Sequence, residues 1–500
     1  MSSSLDCSGL FTDLYCLTMA QGYWKNKMNR RAVFEMFFRK QPFDGGFSVF
    51  AGLATLIERL VNLAFSENDI DYLGSLGIFE KGFLDYLRTF RFAGSVWAFD
   101  EGTVIFPNEP LIRVEGELLE CQIIEGMLLN TVNFQSLIAT KTARIWLASG
   151  KGCVMEFGLR RAQGRDGAIS ASRAAYIGGA EGTSNVEAGK TFGIPVLGTM
   201  AHSWIMAFPN EEEAFEAYAE IYPDRTIFLI DTYNTLKSGI HNAIKAGKKL
   251  AARGKTFGVR LDSGDIHYLS VEVRKILDAN GLNNATISVS NDLDEYIIQA
   301  LNDAGAPIDI WGVGTQMITG GNESAFPGVY KMAACENSEG ILEAAIKFSD
   351  NPEKTTNPGV KQVYRIRDDQ DMYVADVLVP EDEVNSEKPE KGQTRTFWHP
   401  SGDYRNFSHT ITGNAELLLK KRLEKGVPVE DPGKESPRFP IPELSVIRTN
   451  LRQNLASLDQ SYKRLLNPHI YKVSVSESLR TLKLDLIKKR LGNQKGTINE

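Results

Sequence analysis

The sequence has few of the residues that build metal clusters and covalent cross-links. Its 500 residues include five cysteines, at positions 7, 16, 121, 153 and 335, and six histidines. The cysteines form no Cys-x-x-Cys pair and are not flanked by histidines, which argues against a zinc site and a disulfide framework. We therefore expect reduced thiols, most of them buried.

Long apolar runs and an excess of positive charge are missing as well. No stretch reaches the roughly 18 to 20 apolar residues that a membrane span needs, and the amino terminus has no basic segment followed by an apolar core. The formal net charge of −7 argues against binding to nucleic acid or to an anionic membrane. These absences predict a cytoplasmic protein without nucleic-acid or membrane partners.

The sequence does contain a repeated pattern, in which short apolar, β-branched segments end in polar and glycine residues. The segments begin at residues 153, 194, 226, 256, 286 and 308. After a longer first interval, their spacing suits one strand, one loop and one helix. Buried parallel strands have this composition, and α/β proteins place active sites at the carboxyl ends of such strands. The pattern predicts a barrel or a doubly wound sheet.

The regions on either side have a different character. The chain exceeds the roughly 250 to 300 residues at which a single core stops growing, so we expect two or three domains. Before the repeats, the sequence predicts a helix over 12–24, a strand over 31–39, a helix over 47–63 and a long helix over 118–150. Apolar residues at intervals of three and four between Leu444 and Leu465 predict a helix docked on the same chain.

Charged and hydroxyl side chains follow the predicted strand near Arg260. The run is Asp262-Ser263-Gly264-Asp265, and its carboxylates suit ribose hydroxyls or Mg²⁺, since hard cations prefer oxygen ligands. Asp262 and Asp265 are the candidate metal ligands. Helix capping by Asp262 or Ser263 is the structural alternative.

His202 follows an apolar segment in Met200-Ala201-His202-Ser203. A neutral imidazole can act near pH 7 as a base, a ligand or a covalent nucleophile. A purely structural histidine is the alternative.

Two further groups suit anions. Backbone N–H groups of Gly312-Val313-Gly314-Thr315 can approach a phosphate closely, although a tight turn is an equal alternative. Arg160, Arg161 and Arg165 can clamp an acidic substrate or form surface ion pairs. Together the strand ends predict a pocket for a phosphorylated sugar and an anionic co-substrate.

Six motifs resemble, in order and spacing, those of the nicotinate phosphoribosyltransferase family. They are Thr12-Asp13-Leu14-Tyr15, Glu156-Phe157-Gly158-Leu159-Arg160-Arg161-Ala162-Gln163, Gly182-Thr183-Ser184-Asn185, Ala201-His202-Ser203, Arg260-Leu261-Asp262-Ser263-Gly264-Asp265 and Gly312-Val313-Gly314-Thr315. The resemblance covers roughly residues 10 to 470.

The resemblance implies a fold and a reaction. The expected fold is an irregular α/β barrel of the type II phosphoribosyltransferase kind over 126–325, with an α+β domain built from 1–125 and 326–440 and a helical extension over 441–500. The expected reaction joins nicotinate to phosphoribosyl pyrophosphate in the Preiss-Handler branch of NAD biosynthesis, coupled to ATP hydrolysis in the presence of Mg²⁺. A homodimer with the active site at the subunit interface is also implied.

The resemblance assigns roles to individual residues. His202 matches the phosphate-accepting histidine, a phosphohistidine, and acts with Asp262 and Arg260 as the catalytic set. Phe157 and Tyr15 match the rings that sandwich the pyridine, with Tyr15 supplied by the neighbouring subunit. Contacts to the nicotinate carboxylate are implied for Ser184 and Arg260. Contacts to ribose and phosphate are implied for Asn291, Gly314, Thr315 and Arg160, with Arg39, Lys331, Lys361, Asp231 and Asn234 as weaker candidates.

Two alternatives stay open at this point. A quinolinate phosphoribosyltransferase would need a denser cationic pocket for two carboxylates and no ATP-linked histidine. A non-catalytic metabolite-binding relative is the alternative from another class, and the presence of His202, Arg260 and Asp262 argues against it.

Overall fold

The computed structural model describes residues 8–349, 351, 354–429 and 442–496, and the chain divides into two compact units. The first contains Met1–Ser136, Ala325–Glu443 and Thr449–Glu500, and the second contains Leu137–Ser324 and Leu444–Arg448. One unit therefore combines amino- and carboxyl-terminal segments. The boundary falls at residue 136 rather than 125, and residues 444–448 of the predicted extension group with the second unit.

The elements follow in chain order. The helices of the first segment are α1 (Leu14–Lys25), α2 (Leu53–Val61), α3 (Glu67–Ser75), α4 (Lys81–Arg88), α5 (Leu118–Ile123) and α6 (Glu125–Ala148). Its strands are β1 (Arg31–Phe38), β2 (Ser48–Val49), β3 (Ser95–Ala98), β4 (Val104–Ile105) and β5 (Ile112–Glu117).

The middle segment alternates strands with helices. The strands are β6 (Cys153–Glu156), β7 (Gly182–Thr183), β8 (Ile227–Leu229), β9 (Gly258–Leu261), β10 (Thr286–Ser290) and β11 (Ile310–Val313). The helices are α7 (Gly164–Ile177), α8 (Val186–Phe192), α9 (His202–Met206), α10 (Glu211–Ile221), α11 (Ile240–Ala251), α12 (Ile266–Ala279), α13 (Glu295–Asp303) and α14 (Thr315–Ile318).

The last segment is mostly strands. They are β12 (Gly328–Glu336), β13 (Leu342–Ala344), β14 (Lys361–Arg367), β15 (Tyr373–Pro380), β16 (Thr394–His399), β17 (Gly402–Thr410), β18 (Ala415–Leu417), β19 (Lys420–Glu424), β20 (Val427–Pro428) and β21 (Val473–Val475). The helices are α15 (Leu444–Ser457), α16 (Gln460–Lys463) and α17 (Glu477–Gly496).

The second unit is built around six parallel strands. Their order in the sheet is β7-β6-β11-β10-β9-β8, so β11, the last strand of the series, pairs with β6, the first. Val259, Ile287, Val289 and Val313 on these strands are fully buried, as expected for parallel strands covered on both faces. A parallel array that returns to its first strand is the topology of a barrel. The predicted irregular α/β barrel is confirmed.

The first unit contains a seven-stranded sheet in the order β13-β12-β1-β5-β3-β19-β20 and a six-stranded sheet in the order β17-β16-β21-β15-β14-β18. In the larger sheet β1 pairs with β12, and β3 pairs with β19, both antiparallel. These two pairings join segments that are about 300 residues apart in the chain. They explain why both ends of the sequence belong to one α+β domain.

Two predicted elements were wrong in extent. Only Val196 of the expected strand over 194–198 pairs, in a single bridge with Thr183, because the neighbouring Pro195 has no N–H to donate. The expected helix over 47–63 begins only at Leu53, since Ser48–Val49 pairs with Val104–Ile105 and Gly52 has a φ of +103°. The helix predicted over 118–150 forms as α5 and α6.

The docked carboxyl-terminal helix is confirmed over α15, in which Ile447, Leu451 and Leu455 are buried. It ends at Ser457 rather than continuing to Leu465, because the backbone is extended at Leu458 before the short helix α16. Four cysteines within the described residues are free thiols, and Cys7 lies outside that range. No helix of the described segments is both long and apolar enough to cross a membrane.

Candidate active site

His202 is the first residue of α9 and lies beside two polar side chains. Its Nε2 atom is 3.7 Å from Oδ2 of Asp262, which follows β9. Its Nδ1 atom is 3.1 Å from the hydroxyl oxygen of Thr232, which follows β8. The imidazole and the Asp262 carboxylate are both partly exposed. The histidine is therefore held between two strand ends and open to a ligand.

Arg260, on β9, is held by the segment that precedes His202. Its Nη1 atom donates to the hydroxyl of Thr199, and its Nη2 atom donates to the carbonyl of Met200 at 3.1 Å. Burial lowers the pKa of the guanidinium, and the nearby Asp262 and Asp231 carboxylates oppose this shift. The Nε atom is buried and has no hydrogen-bond partner among the described residues. A buried guanidinium with a free donor suits an anionic ligand.

Asp231 and Asp262 form a linked pair at the ends of β8 and β9. Asp231 Oδ2 accepts from the backbone N–H of Asp262 at 2.9 Å and from the Ser263 hydroxyl at 2.6 Å. Asp262 Oδ1 accepts from the Ser290 hydroxyl at the end of β10. Three neighbouring strand ends are thus connected by side-chain hydrogen bonds.

Asp265 has a structural role in the described structure. Its side chain accepts from the backbone N–H of Tyr268 at 3.0 Å and caps α12. The predicted capping function therefore falls on Asp265 rather than on Asp262 or Ser263. Within the described residues no group of three or more histidine, cysteine, aspartate and glutamate side chains forms a metal cluster.

Phe157 follows β6 and lies against the backbone of β11. Its N–H donates to the Val313 carbonyl at 2.8 Å. A Cβ atom added to Gly312 would lie 2.8 Å from the Phe157 ring, so the ring packs directly on the glycine. The same Cβ would lie 3.3 Å from Cβ of Ser290. The Phe157 turn therefore lies beside β11, next to the end of β10, where Ser290 bonds to Asp262.

Ser184 follows β7 and is bonded to β6. Its N–H donates to the carbonyl of Glu156 at 2.9 Å, and its side chain is partly exposed. The next residue, Asn185, caps α8. Ser184 and Phe157 thus stand at the ends of adjacent strands, although the strand β7 that precedes Ser184 was not among the predicted segments.

The remaining barrel candidates lie at strand ends with different surroundings. Asn291 follows β10 with a φ of +126°, a backbone conformation rarely adopted outside glycine. Gly314 caps α14, of which Thr315 is the first residue. Asn234 caps a π-helix at Thr235–Gly239.

The three predicted arginines differ in their surroundings. Arg160 is exposed, and its charge contributes to the lowered pKa of Arg260, so it lies near the site. Arg161 is also exposed. Arg165 pairs with Glu187 on the surface, which is the structural alternative for this residue.

Four candidates belong to the first unit. Tyr15 is exposed, and burial of its hydroxyl and the neighbouring Glu125 raise its pKa. Burial lowers the pKa of Lys331, the Glu125 carboxylate opposes this shift, and the charges of Arg39 and Lys347 add to it. Lys361 is buried, 2.9 Å from Glu35, and donates to two backbone carbonyls. This internal pairing gives Lys361 a structural role.

The sequence and the structure are both similar to those of known proteins. Family models described as the N-terminal domain, the family region and the C-terminal domain of nicotinate phosphoribosyltransferase match residues 10–133, 153–372 and 360–483. The chain is 42% identical to nicotinate phosphoribosyltransferase of Bacillus subtilis over 486 residues, 96% of each protein. The chain belongs to the nicotinate phosphoribosyltransferase family.

Other members of this family are similar along the same length. The human nicotinate phosphoribosyltransferase is 32% identical over 533 residues, covering 95% of each protein. The crystal structure of the human nicotinic acid phosphoribosyltransferase matches with a TM-score of 0.81 at 30% identity, over 95% of this chain and 99% of the other. A nicotinate-nucleotide pyrophosphorylase from Pyrococcus furiosus, with a TM-score of 0.67 at 24% identity, shares the fold.

Sequence reasoning missed several residues that hold this family's motifs in place here. Thr199 and Thr232 contact Arg260 and His202, and Ser290 contacts Asp262. Glu156 accepts three hydrogen bonds beneath the Phe157 turn. Each lies at a predicted strand end, which is the one signal in the sequence that pointed toward them.

Proposed function

We propose that this chain transfers the phosphoribosyl group of phosphoribosyl pyrophosphate to nicotinate in NAD biosynthesis, by the Preiss-Handler route, and couples the transfer to ATP hydrolysis. One observation carries the proposal: His202, Asp262 and Arg260 lie together at neighbouring barrel strand ends in a chain of this family. We also place the enzyme in the cytoplasm.

The reaction requires one bond to form as another breaks. The lone pair of the pyridine nitrogen attacks C1′ of the ribose, and the C1′–O bond to pyrophosphate breaks with its electron pair leaving on pyrophosphate. Positive charge grows on the ribose in an oxocarbenium-like transition state. Holding the two reactants in line and stabilising the departing anion are then the main tasks of the protein.

Arg260 and Ser184 suit the carboxylate of nicotinate. The buried guanidinium of Arg260 keeps a free Nε donor, and a hydrogen bond between charged groups contributes about 1.5 to 3 kcal/mol. Ser184 offers a neutral hydroxyl, which can donate to a carboxylate oxygen. An aspartate in that place would repel the acid, so Ser184 favours nicotinate over its amide.

His202 suits the role of phosphate acceptor. The Asp262 carboxylate lies 3.7 Å from Nε2 and favours the proton on that atom, which leaves the Nδ1 lone pair as the nucleophile. In the proposed step Nδ1 forms a bond to the γ-phosphorus of ATP, and ADP leaves with the electrons of the broken P–O bond. Hydrolysis of the phosphohistidine later returns His202 to its starting form. The transferred phosphate adds negative charge beside the Arg260 segment.

The carboxylates at the strand ends fit Mg²⁺. This ion commonly binds one or two protein carboxylates together with water and substrate phosphates. Asp262 and Asp231 are the residues that would hold it, and Asp231 Oδ1 is buried with no partner among the described residues. Asp265 is less suited because it caps α12. When bound, Mg²⁺ supplies neutralising charge for the phosphate groups.

Further substrate contacts complete the proposal. Asn291, Gly314 and Thr315 are proposed to hold the 5′-phosphate, with Arg160 near the phosphates. Asp262 and, with less support, Asn234 are proposed to contact the ribose. We further propose a homodimer in which Tyr15 of one subunit stacks on the pyridine opposite Phe157 of the other. Arg39 and Lys331 carry positive charge suited to the phosphates.

The deciding experiment offers nicotinate, nicotinamide or quinolinate with phosphoribosyl pyrophosphate and Mg²⁺, with and without ATP, and identifies the mononucleotide. We expect nicotinate to be the preferred acceptor and ATP to stimulate its use. His202→Ala should retain slow transfer but lose the stimulation. Preference for nicotinamide contradicts the proposed substrate, and unchanged ATP dependence in the variant contradicts the role of His202.

Quinolinate phosphoribosyl transfer remains the second candidate tested by this experiment. Its substrate carries two carboxylates and needs more buried positive charge than the site supplies. Of the predicted arginines in the barrel, Arg160, Arg161 and Arg165 are exposed, whereas Arg260 is largely buried. Release of carbon dioxide from quinolinate would favour this alternative, and no turnover with any acceptor would favour a non-catalytic relative.

A further inference from the structure

Glu156, the last residue of β6, has a fully buried side chain and no role in the proposed reaction. Its Oε1 atom accepts from the backbone N–H of Gly158. Its Oε2 atom accepts from the hydroxyl of Ser172 at 3.0 Å and from the hydroxyl of Thr183. One carboxyl group is thus bonded to a turn, a helix and a neighbouring strand.

These bonds reach both sides of the proposed pyridine site. Phe157 lies between Glu156 and Gly158, so the bond to the Gly158 N–H closes a short loop around the ring-bearing residue. On the other side, Thr183 precedes Ser184, whose N–H donates to the Glu156 carbonyl at 2.9 Å. Glu156 therefore fixes the spacing between the Phe157 turn and the Ser184 strand end.

The turn on the Phe157 side has little freedom to adjust. A Cβ atom at Gly158 would lie 2.4 Å from Cβ of Ile318 on α14, so the turn is packed tightly against that helix. Movement of the Gly158 N–H away from Glu156 would have to displace α14 as well. The carboxyl group and the helix therefore both restrain the turn at Gly158.

The buried carboxyl group of Glu156 would be unfavourable if packing were its only role. Burial raises the pKa of Glu156, and the hydrogen bonds from Thr183, Gly158 and Ser172 oppose that shift. Burying an acidic group costs free energy unless its oxygen atoms are hydrogen-bonded, whereas an apolar side chain would fill the space without that requirement. The hydrogen bonds to Gly158, Ser172 and Thr183 are therefore the best explanation for an acidic side chain at this position.

We propose that Glu156 is a positioning residue that sets the distance between the Phe157 ring and the Ser184 hydroxyl for the pyridine-carboxylate acceptor. This inference rests on the proposed function, because the acceptor is taken to be nicotinate. Glu156 acts through its neighbours and does not touch the substrate.

The test is Glu156→Gln, assayed by separate KM values for nicotinate and phosphoribosyl pyrophosphate. Glutamine keeps the volume and one acceptor for the Gly158 N–H, but its amide NH2 can only donate, so the Ser172 and Thr183 hydroxyls must reverse their hydrogen bonds and the spacing set by the carboxylate changes. We expect the KM for nicotinate to rise about tenfold while the KM for phosphoribosyl pyrophosphate and kcat change less than about twofold.

Glu211→Gln is the matched control. Glu211, on α10, is also buried and accepts from a neutral donor, Asn242 Nδ2, at 3.0 Å. It has no contact with Phe157 or Ser184 among its hydrogen bonds, so both KM values should stay unchanged.

If Glu156→Gln fails to fold, Ser172→Ala provides a milder change because it removes one donor and leaves the carboxyl group. We expect this variant to raise the KM for nicotinate by about two- to threefold. An unchanged KM for nicotinate in the variants that fold, or an equal rise in both KM values, would overturn the positioning role. Failure of the unaltered enzyme to use nicotinate would instead overturn the proposed function.

Discussion

Two charged clusters in the barrel unit use the same kinds of side chain in opposite ways. In the first, Glu295 binds Lys141 at 2.5 Å and Arg144 at 2.9 Å, and all three side chains are almost fully buried. In the second, His202 and Asp262 are partly exposed, and the Arg260 Nε and Asp231 Oδ1 atoms have no partner in the described structure. In the first cluster the carboxylate is paired with two cations, whereas the second leaves the Arg260 Nε and Asp231 Oδ1 atoms without a charged partner in contact among the described residues.

The difference lies in how completely each charge is paired. Burial alone would raise the pKa of Glu295, but Lys141 and Arg144 bring it below its usual value. At the site, burial instead lowers the pKa of Arg260 despite two nearby carboxylates. The first cluster therefore contributes to stability, whereas substrate binding is the role that we propose for the second cluster. Substitutions in the two clusters should separate these effects.

The largest effect on stability is expected for Glu295→Ala. Removing the carboxylate leaves Lys141 and Arg144 buried without it, which typically costs about 3 to 5 kcal/mol. A clearly lower midpoint of thermal unfolding should result, with kcat of the folded fraction retained.

The lowered pKa of Glu295 also fixes the sign of a pH effect. In the unfolded chain the pKa of Glu295 is 4.5, and in the folded protein it is lower. The Glu295 carboxylate therefore stabilises the fold fully above pH 4.5, and this stabilisation is lost as the pH falls from 4.5 through the folded pKa. The unaltered protein should lose stability in that range more steeply than Glu295→Ala. An unchanged unfolding midpoint in the variant at neutral pH would show that this cluster is not a stabilising one.

Arg260→Lys should change the KM for nicotinate strongly and the stability only weakly, the reverse of Glu295→Ala. Lysine keeps the positive charge but cannot reproduce the planar set of N–H donors, so the contacts to Thr199, Met200 and the substrate cannot all be made. The KM for nicotinate should rise about 10- to 100-fold, while the unfolding midpoint moves far less than in Glu295→Ala. If Arg260→Lys lowered the unfolding midpoint and left the KM for nicotinate unchanged, Arg260 would have a structural role like that of Glu295.

The smallest effect is expected for Arg165→Ala. Arg165 pairs with Glu187 where both side chains are well exposed, and such pairs contribute about 0 to 1 kcal/mol. Both the unfolding midpoint and the KM values should stay close to those of the unaltered enzyme. A large rise in either KM would show that Arg165 contacts substrate and belongs with Arg260.

Local sequence patterns were sufficient for much of the barrel. The predicted strands starting at residues 153, 226, 286 and 308 lie on or beside β6, β8, β10 and β11, because buried parallel strands need continuous apolar segments. The segment at 194 was equally apolar, but Pro195 limits it to a single bridge at Val196.

The site was predictable only where a residue belonged to a motif. His202, Arg260 and Asp262 were found in this way, and they lie together in the structure. Thr199 and Thr232 were missed because their partners are 61 and 30 residues away in the chain. Pairings of that kind depend on how the strands are arranged in the barrel, and no local pattern encodes them.

The contact between Phe157 and Gly312 limits how this enzyme could be adapted to other ring compounds. A methyl group at residue 312 would lie 2.8 Å from the Phe157 ring and collide with it. The surface under that ring is therefore formed by backbone atoms, and a larger residue at position 312 would require the ring to move. With the acceptor in the proposed position, selection for bulkier heterocycles would act on residues 157 and 184 rather than on residue 312. Larger residues at position 312 are expected to displace the Phe157 ring.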